Sequence, residues 1–409
     1  MEESNETNLH TLRTDHVGSL LRPAQLKDAF LAHAAGRIDR DALRLAQDQA
    51  IAEVIAQQRR IGLPVVSDGE FRRLNWQVSF SEVEGWDLWG GSWRGFLQNP
   101  SLAAPDETPN TRGEDAVLSY RTPATARLVL RENFPLGEYR YAAKVLAEAA
   151  DGTPAKAMLM GPDRVAQMCD RERSIAQYQD ADAFLADVVA IQHRMVGQLI
   201  DAGCRYIQLD EPSYTGYVDE ATLARLRAQG EDPLSNLERA IAADNAVIEG
   251  HAANRAAHDT GQATSQAAIF ALHICRGNRA SMWHREGAYD DIAERLFGQL
   301  RFDRLLLEYD TTRAGGFEPL RHVPRQARDG QRAAPVVVLG LLTTKTGRIE
   351  TVDELRRRID DASRFLPLEQ LAISPQCGFA SGISGNALTE DEQWRKLEVM
   401  LETARLVWG

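Results

Sequence analysis

Short apolar runs alternate with longer amphipathic stretches along most of this 409-residue chain. The apolar runs predict strands at Val65–Ser67, Ala157–Met160, Tyr206–Leu209, Ala271–Ile274, Leu305–Leu307, Val336–Leu339 and Leu371–Ile373, with a further candidate just before Gly18. Helix-like segments lie between most of them, for example Ala183–Ala202, Asp290–Gln299 and Thr351–Phe365. Repeated strand–helix alternation indicates the α/β class with a parallel sheet, and about eight such units predict a (β/α)8 TIM barrel.

Three segments depart from this rhythm. Residues 1–10 are acidic and polar, so we expect a disordered N-terminus followed by a single catalytic barrel over residues 11–409. The region from about 86 to 141 is rich in Gly, Pro, Asn and aromatic residues, which predicts an inserted hairpin or lid. The Ala-rich stretch 235–262 predicts an exposed helical excursion.

Composition narrows the range of partners. The net charge is −12, which argues against nucleic acid or an anionic membrane as the main partner. No apolar run approaches the roughly 20 residues that a membrane span needs. Four cysteines are few for a disulfide scaffold of this size, so a reducing cytoplasm with free or metal-bound thiols is expected. Small molecules are the expected partners, and the size and the aromatic insertion are compatible with a homodimer.

Polar side chains concentrate where the predicted strands end. They are Ser19, Asp68, Glu70, Asp210, Glu211, His273, Cys275, Glu308, Thr343–Lys345 and Cys377. In a (β/α)8 barrel the active site lies at the carboxyl ends of the strands, so this placement predicts one shared site.

Four of these residues form a plausible ligand set for zinc. His273, Cys275, Glu308 and Cys377 offer nitrogen, sulfur and oxygen donors that zinc accepts readily. Two thiolates make the site soft enough for a substrate thiol as well, and a zinc-bound thiol is deprotonated near neutral pH. An isolated His-x-Cys is more often core packing, and residue types alone leave the two interpretations about equal. A purely structural zinc site is disfavoured because the ligands are scattered over three strands.

The other strand-end residues each allow two interpretations. Glu70 could bind a substrate ammonium or start a helix, and Asp210 could hold an amino group or cap a strand. Gly18 and Ser19 could present N–H groups and a hydroxyl to a carboxylate, or form a turn. Lys345 could face the cavity as a cation or proton donor, or be solvated. For the first three, local sequence slightly favours the structural role.

Five separated segments resemble, in order, the catalytic barrel of the cobalamin-independent methionine synthase family. They are Asp15–Pro23, Asp68–Arg72, Gln208–Pro212, His273–Asn278 and Ser374–Gly378. The likeness covers the chain from about Thr14 onward, so it is identified as a single-barrel member.

The resemblance implies an S-methyltransferase of methionine biosynthesis that moves a methyl group to the zinc-bound thiol of homocysteine. It implies zinc ligands at His273, Cys275, Glu308 and Cys377. It also implies that Gly18, Ser19, Glu70 and Asp210 bind the amino acid, with Glu70 and Asp210 contributing to catalysis, and that Lys345 stands near the position of the family's proton donor.

The chain departs from the folate-using members at two positions. Met168 stands about where they place a tryptophan against the pterin, and Gly216 stands where they carry a further acid. These changes put methyltetrahydrofolate in doubt as donor. The segments Leu339–Thr346 and His273–Asn278 resemble a short branch of the family, which includes uncharacterised methionine-synthase-like proteins and epoxyalkane:coenzyme M transferases. The alternatives are therefore thiol addition to an epoxide, demethylation of another methyl donor, or zinc and thiol binding without turnover.

Overall fold

Six parallel strands form the centre of the fold in the computed structural model, which describes residues 8–86, 121–150, 152–251, 267–328, 331 and 333–409. The strands of the described chain are β1 (Val83–Trp86), β2 (Ala124–Leu130), β3 (Lys156–Met160), β4 (Tyr206–Asp210), β5 (Ile269–Ile274), β6 (Arg304–Glu308), β7 (Val336–Leu342) and β8 (Leu371–Pro375). Strands β3 to β8 pair in sequence order, each parallel to the next, as helical crossovers on one side require.

Amphipathic helices cover this sheet. They are α1 (Ala24–Ala34), α2 (Arg40–Arg60), α3 (Phe134–Ala149), α4 (Pro162–Gln167), α5 (Arg171–Ser174), α6 (Ala181–Asp201), α7 (Glu220–Ala228), α8 (Pro233–Ile248), α9 (Ala293–Gln299), α10 (Val352–Ser363) and α11 (Glu390–Trp408). Short 3-10 helices lie at Leu9–Thr11, Trp76–Phe80, Pro212–Tyr217, Thr312–Ala314, Glu318–His322 and Leu368–Gln370. Every residue of β3 to β8 is buried, which explains why these strands read as continuous apolar runs.

Single β-bridges extend the sheet at both edges. Thr14 bridges Ile373 of β8, and Val66 bridges Ala155 beside β3, both in parallel. These two segments occupy the first two strand positions of a (β/α)8 barrel. In the described chain no ladder joins them to each other, but the Ser67 hydroxyl donates to the Gly18 carbonyl at 2.6 Å. The predicted α/β fold with TIM-barrel order is confirmed.

The prediction that residues 1–10 are disordered is wrong for the last residues of that range. Residues 1–7 lie outside the described part of the chain, but Leu9–Thr11 forms a 3-10 helix and Leu9 is buried. Leu9 and Leu12 join a separate cluster of buried apolar residues with Val338 and Ala372 from β7 and β8. Burial of these two leucines outweighs the polar composition around them.

The predicted insertion is only partly described. β1 and β2 form an antiparallel pair at its two ends, consistent with a hairpin, while residues 87–120 lie outside the description. Helix α3 begins at Phe134 and contacts α2 and β3, so the helical layer resumes before residue 141.

The stretch predicted as an exposed helical excursion is helical in α8, but it is not exposed. Eight of its residues are buried and it packs against α6, because its apolar residues recur at helical spacing. Residues 252–262 of that stretch fall outside the described chain. Across the described helices, none combines the length and apolar character that crossing a bilayer demands.

Candidate active site

The carboxyl end of β5 brings three potential metal ligands together. His273 is on β5, Cys275 follows it, and Cys377 follows β8. One nitrogen of His273 and the two sulfurs all lie within 4.8 Å of one another, and the three residues are buried. This juxtaposition is the one that the sequence predicted for them.

Glu308 ends β6 beside this cluster but is not part of the three-residue group. Its Oε2 accepts a hydrogen bond from the backbone N–H of Arg276 at 2.7 Å. Its Oε1 is buried without a hydrogen-bond partner among the described residues, although the Arg313 guanidinium lies 3.7 Å away. Burial raises the pKa of Glu308, and the charge of Lys345 opposes that rise. Glu308 is thus available near the cluster.

The two thiols share a proton unequally. A hydrogen bond from Cys377 lowers the pKa of Cys275 well below its ordinary value, and the same bond raises the pKa of Cys377. For His273, burial lowers the pKa, but the adjacent Cys275 thiol and the nearby negative charges raise it overall. The cluster therefore favours a thiolate at Cys275 beside the imidazole.

The donor set fits zinc. Both ring nitrogens of His273 are buried and lack a hydrogen-bond partner in the described structure, and buried imidazoles rarely stay unpaired. One imidazole and two thiols at this spacing, with a carboxylate adjacent, match the ligand types of catalytic zinc sites. His273, Cys275 and Cys377 would hold the ion, and Glu308 would complete the set.

The residues after Cys275 build the walls of this site. The Arg276 guanidinium donates to the Gly287 carbonyl and stacks 4.5 Å from the centre of the Tyr289 ring. Asn278 donates from Nδ2 to the Gly378 carbonyl at 2.6 Å, which ties the β5 loop to the loop that carries Cys377. The motif His-x-Cys-Arg-Gly-Asn thus carries two of the candidate ligands and the contacts that support them.

Glu70 is held in an uncommon conformation. Its φ is +60°, in the left-handed region that residues other than glycine seldom adopt. Asp68 accepts from its N–H at 2.9 Å, Arg22 donates to its carbonyl at 2.8 Å, and Arg73 donates to its Oε1 at 3.1 Å. Its Oε2 is buried and has no partner among described groups. Burial raises the pKa of Glu70 to about 7, although Arg73 opposes this.

Asp210, at the end of β4, is held by the side chain of Gln208 from the same strand. Gln208 donates from Nε2 to Asp210 Oδ1 at 2.7 Å and to the Val17 carbonyl, also at 2.7 Å. Burial raises the pKa of Asp210, and His273 opposes that shift. Two buried carboxyl groups, Glu70 and Asp210, therefore lie close enough to influence each other's protonation.

Gly18 and Ser19 lie opposite the Cys377 loop. Gly18 has φ +132°, and a Cβ there would approach Met158 Cε to 2.9 Å, so glycine is required. A Cβ on Gly378 would overlap the Ser19 hydroxyl. The Ser19 carbonyl accepts from the Phe379 N–H at 2.9 Å, so the two loops are joined.

Lys345 is buried close to Glu308 and Cys377. It is fully buried, and its Nζ has no hydrogen-bond partner within the described chain. It does not line the main cavity, although its charge acts on Glu308 and Cys377. The solvated alternative is therefore wrong, because the side chain is buried. A role of Lys345 in the chemistry stays a prediction.

A cavity of about 160 Å³ joins these elements. Its lining includes Ser19, Glu70, Asp210, His273, Cys275 and Cys377 from the predicted set. It also includes residues that the sequence did not single out, among them Asn75, Arg164 and Arg285. Arg164 could have been noticed because it follows β3 closely, near the start of α4. Arg285 follows no strand directly, so no sequence signal marks it. Trp76 lines the cavity, whereas Trp86 packs against Phe80 and Phe184, and Trp89 and Trp93 lie outside the described chain.

A family model for the catalytic domain of the cobalamin-independent synthase matches residues 109–280 and 325–405, more than half of the chain. The chain belongs to the cobalamin-independent methionine synthase family. This is a methyltransferase family, as the sequence motifs predicted.

Relatives of this methionine synthase family cover almost the full chain. The uncharacterised proteins YxjH and YxjG of Bacillus subtilis are each 35% identical over 97% of this chain and 94% of their own. The methionine synthase of Pyrococcus abyssi is 24% identical over 98% of this chain and 94% of its own.

Two solved structures have the same fold. A Listeria monocytogenes protein assigned as a vitamin-B12-independent methionine synthase has a TM-score of 0.67 and 26% identity, covering 98% of this chain and 100% of that chain. The B12-independent methionine synthase of Shewanella sp. W3-18-1, solved with selenomethionine, has a TM-score of 0.64 and 17% identity, covering 97% and 98%. The second likeness bears on the fold alone.

Proposed function

We propose that this protein is a zinc-dependent methyltransferase whose acceptor is the thiol of homocysteine. The observation that carries the proposal is the buried cluster of His273, Cys275 and Cys377 in a cavity also lined by Glu70 and Asp210. Metal ligands and a pair of carboxyl groups in one cavity suit a substrate that carries both a thiol and an ammonium.

Zinc at the cluster would supply a lowered thiol pKa, and hence a nucleophile at neutral pH. In our proposal, Glu70 and Asp210 hold the ammonium, and the hydroxyl of Ser19 with the backbone after Gly18 holds the carboxylate. These contacts orient the sulfur toward the donor carbon. After the thiol loses its proton, a sulfur–carbon bond forms, the bond from the methyl carbon to the donor breaks, and its electron pair leaves with the donor.

Lys345 receives a different role from the one that its sequence position suggested. Two thiolates and Glu308 concentrate negative charge in a buried site, which is costly without a compensating cation. The ammonium of Lys345 acts on both Glu308 and Cys377. We therefore assign it to charge compensation for the ligand set rather than to proton donation.

Metal content tests the proposal. Cys275→Ser and Cys377→Ser should each abolish tight zinc binding, because a hydroxyl is a far weaker zinc ligand than a thiolate. Cys204→Ser is the matched control: Cys204 is also buried, but its thiol donates to the Tyr206 carbonyl, away from the cluster. The measurement is zinc per chain after purification and dialysis. Full zinc and turnover in Cys377→Ser would overturn the assignment.

A further inference from the structure

Two arginines separate the main cavity from a second, larger one. Arg164, near the start of α4, and Arg285, in the loop after β5, line both the 160 Å³ cavity and a neighbouring cavity of about 330 Å³. The carboxylates proposed for the acceptor, Glu70 and Asp210, line only the first. The arginines therefore stand where a second substrate could enter beside the acceptor.

Arg285 fills space that Gly216 leaves open. A Cβ at position 216 would lie 3.2 Å from the guanidinium carbon of Arg285. Arg285 is buried and donates from Nη1 to the carbonyls of Pro212 and Ser213, at 2.7 and 3.2 Å. The absence of a side chain at Gly216 thus leaves room for the Arg285 guanidinium where it lines both cavities.

Arg164 has donors to spare. Its guanidinium makes no hydrogen bond to any residue in the described ranges. The two nearby carboxylates are occupied otherwise: Glu211 accepts from the Arg164 backbone N–H at 3.0 Å and from Ser213, and Asp163 accepts from Gln167 and Tyr217 at 2.9 and 3.2 Å.

Burial makes the charged forms of both arginines less favourable. Burial and the charge of Arg285 together lower the pKa of Arg164 to about 10. Burial also lowers the pKa of Arg285. An anion bound between two desolvated guanidinium groups would relieve both effects, since arginine offers planar paired donors to carboxylate, sulfonate and phosphate groups.

We propose that Arg164 and Arg285 bind an anionic group of the alkyl donor. This inference rests on the proposed function and names its second substrate as a small donor that carries a carboxylate, sulfonate or phosphate near the transferred carbon. The pair would also stabilise negative charge that develops on the departing donor.

Sulfate serves as the probe, measured by calorimetry at fixed ionic strength on zinc-loaded protein saturated with homocysteine. We expect saturable binding that Arg164→Gln weakens roughly tenfold or more, the loss typical of a hydrogen bond to a charged group. Arg164→Lys keeps the charge and should retain part of the affinity. Arg173→Gln is the control, because Arg173 is an exposed arginine nearby that lines neither cavity.

A substitution at Gly216 tests the same site while both arginines are retained. Gly216→Asp places a carboxylate against the Arg285 guanidinium and should abolish sulfate binding without removing either arginine. It guards against the case in which loss of Arg285 itself disturbs the fold through its two backbone contacts.

The outcomes separate this inference from the proposed function. Normal zinc content and proton release on homocysteine addition, with no sulfate binding or with equal binding in Arg164→Gln, would overturn the anionic-donor inference alone. Sulfate binding that disappears when homocysteine saturates the site would also overturn it, because the arginines would then hold the acceptor. Absence of zinc or of any thiol response would instead refute the proposed function.

Discussion

Glu70 shows how the site is built at the scale of single residues. Asp68 and Arg22 hold its left-handed backbone by hydrogen bonds. Its side chain accepts from Arg73 at Oε1, and Oε2 has no hydrogen-bond partner among the described residues. Strained residues that are held by several surrounding contacts are common at functional sites. With burial raising its pKa to about 7, Glu70 would bind the ammonium of the proposed substrate in a pH-dependent way.

The pH dependence of amino-acid binding follows from that pKa. Only the ionised carboxylate attracts an ammonium, and burial raises the pKa of Glu70 to about 7, so affinity should fall as the pH drops below 7. Methionine is the suitable ligand because it lacks a titrating thiol. Its affinity for the zinc-loaded protein should fall about tenfold per pH unit below 7, as loss of one proton-linked charge requires.

Glu70→Gln should bind methionine weakly and with a flat profile over the same pH range. Zinc content, measured in parallel, reports whether the site remains intact. A variant that kept the wild-type pH profile would show that another group, such as Asp210, controls the binding.

The motif residues were predictable from sequence, but the residues that act from outside motifs were not. His273 lies near the end of β5, and Cys275 and Cys377 come just after β5 and β8, so the strand pattern places them on one face. Lys345 also follows a strand, but only the structure shows that it is buried and that its charge acts on Glu308 and Cys377. Arg285 reaches the cavity only because the loop after β5 folds back across Pro212, and no local pattern encodes such a long-range approach.

At the scale of elements, the loops after β5 and β8 and the segment at Ser19 position one another. Asn278 ties the first two loops together, and Gly378 lets the Ser19 hydroxyl approach the second. Strand existence was predicted well, since β3 to β8 each contain a predicted apolar run. The first two positions, at Thr14 and Val66, appear only as single bridges, so apolar content alone overestimates their strand length.

Gly378→Ala tests this loop contact. The added methyl group would displace the Ser19 hydroxyl, so affinity for methionine should fall roughly tenfold, the effect of losing one hydrogen bond to a charged group. Zinc content should stay at the wild-type level, because Cys377 itself is retained. Gly298→Ala in α9 is the matched control, since a Cβ there meets nothing within 4 Å. Equal loss of affinity in both variants would contradict the proposed contact.

At the scale of the whole molecule, a buried ionic network crosses the barrel interior. Asp15 meets Lys156 at 3.0 Å and Arg304 at 3.2 Å, and Lys156 donates to Gln208, whose amide holds Asp210. Burial by itself would raise the pKa of Asp15, but the two cations lower it to about 2. The network thus links the barrel interior to the candidate site.

Asp15→Asn should destabilise the fold by about 3–5 kcal/mol, because it leaves two buried cations without their counter-charge. The pKa of Asp15 is depressed in the folded state, so its stabilising effect is present above about pH 4 and is lost as the pH falls toward 2. Denaturant unfolding at several pH values measures both effects. Glu84→Gln breaks the exposed pair with Arg131 and should leave the unfolding midpoint unchanged. A stable Asp15→Asn protein would contradict the role of the network.

The most direct test of the proposed chemistry is proton release when homocysteine is added to zinc-loaded protein. The measurement uses weakly buffered solution at pH 7, where the free thiol is largely protonated. Our account predicts about one proton released per bound zinc, with no release in Cys377→Ser and normal release in Cys204→Ser. Homocysteine binding without proton release would contradict thiol activation at the His273, Cys275 and Cys377 cluster.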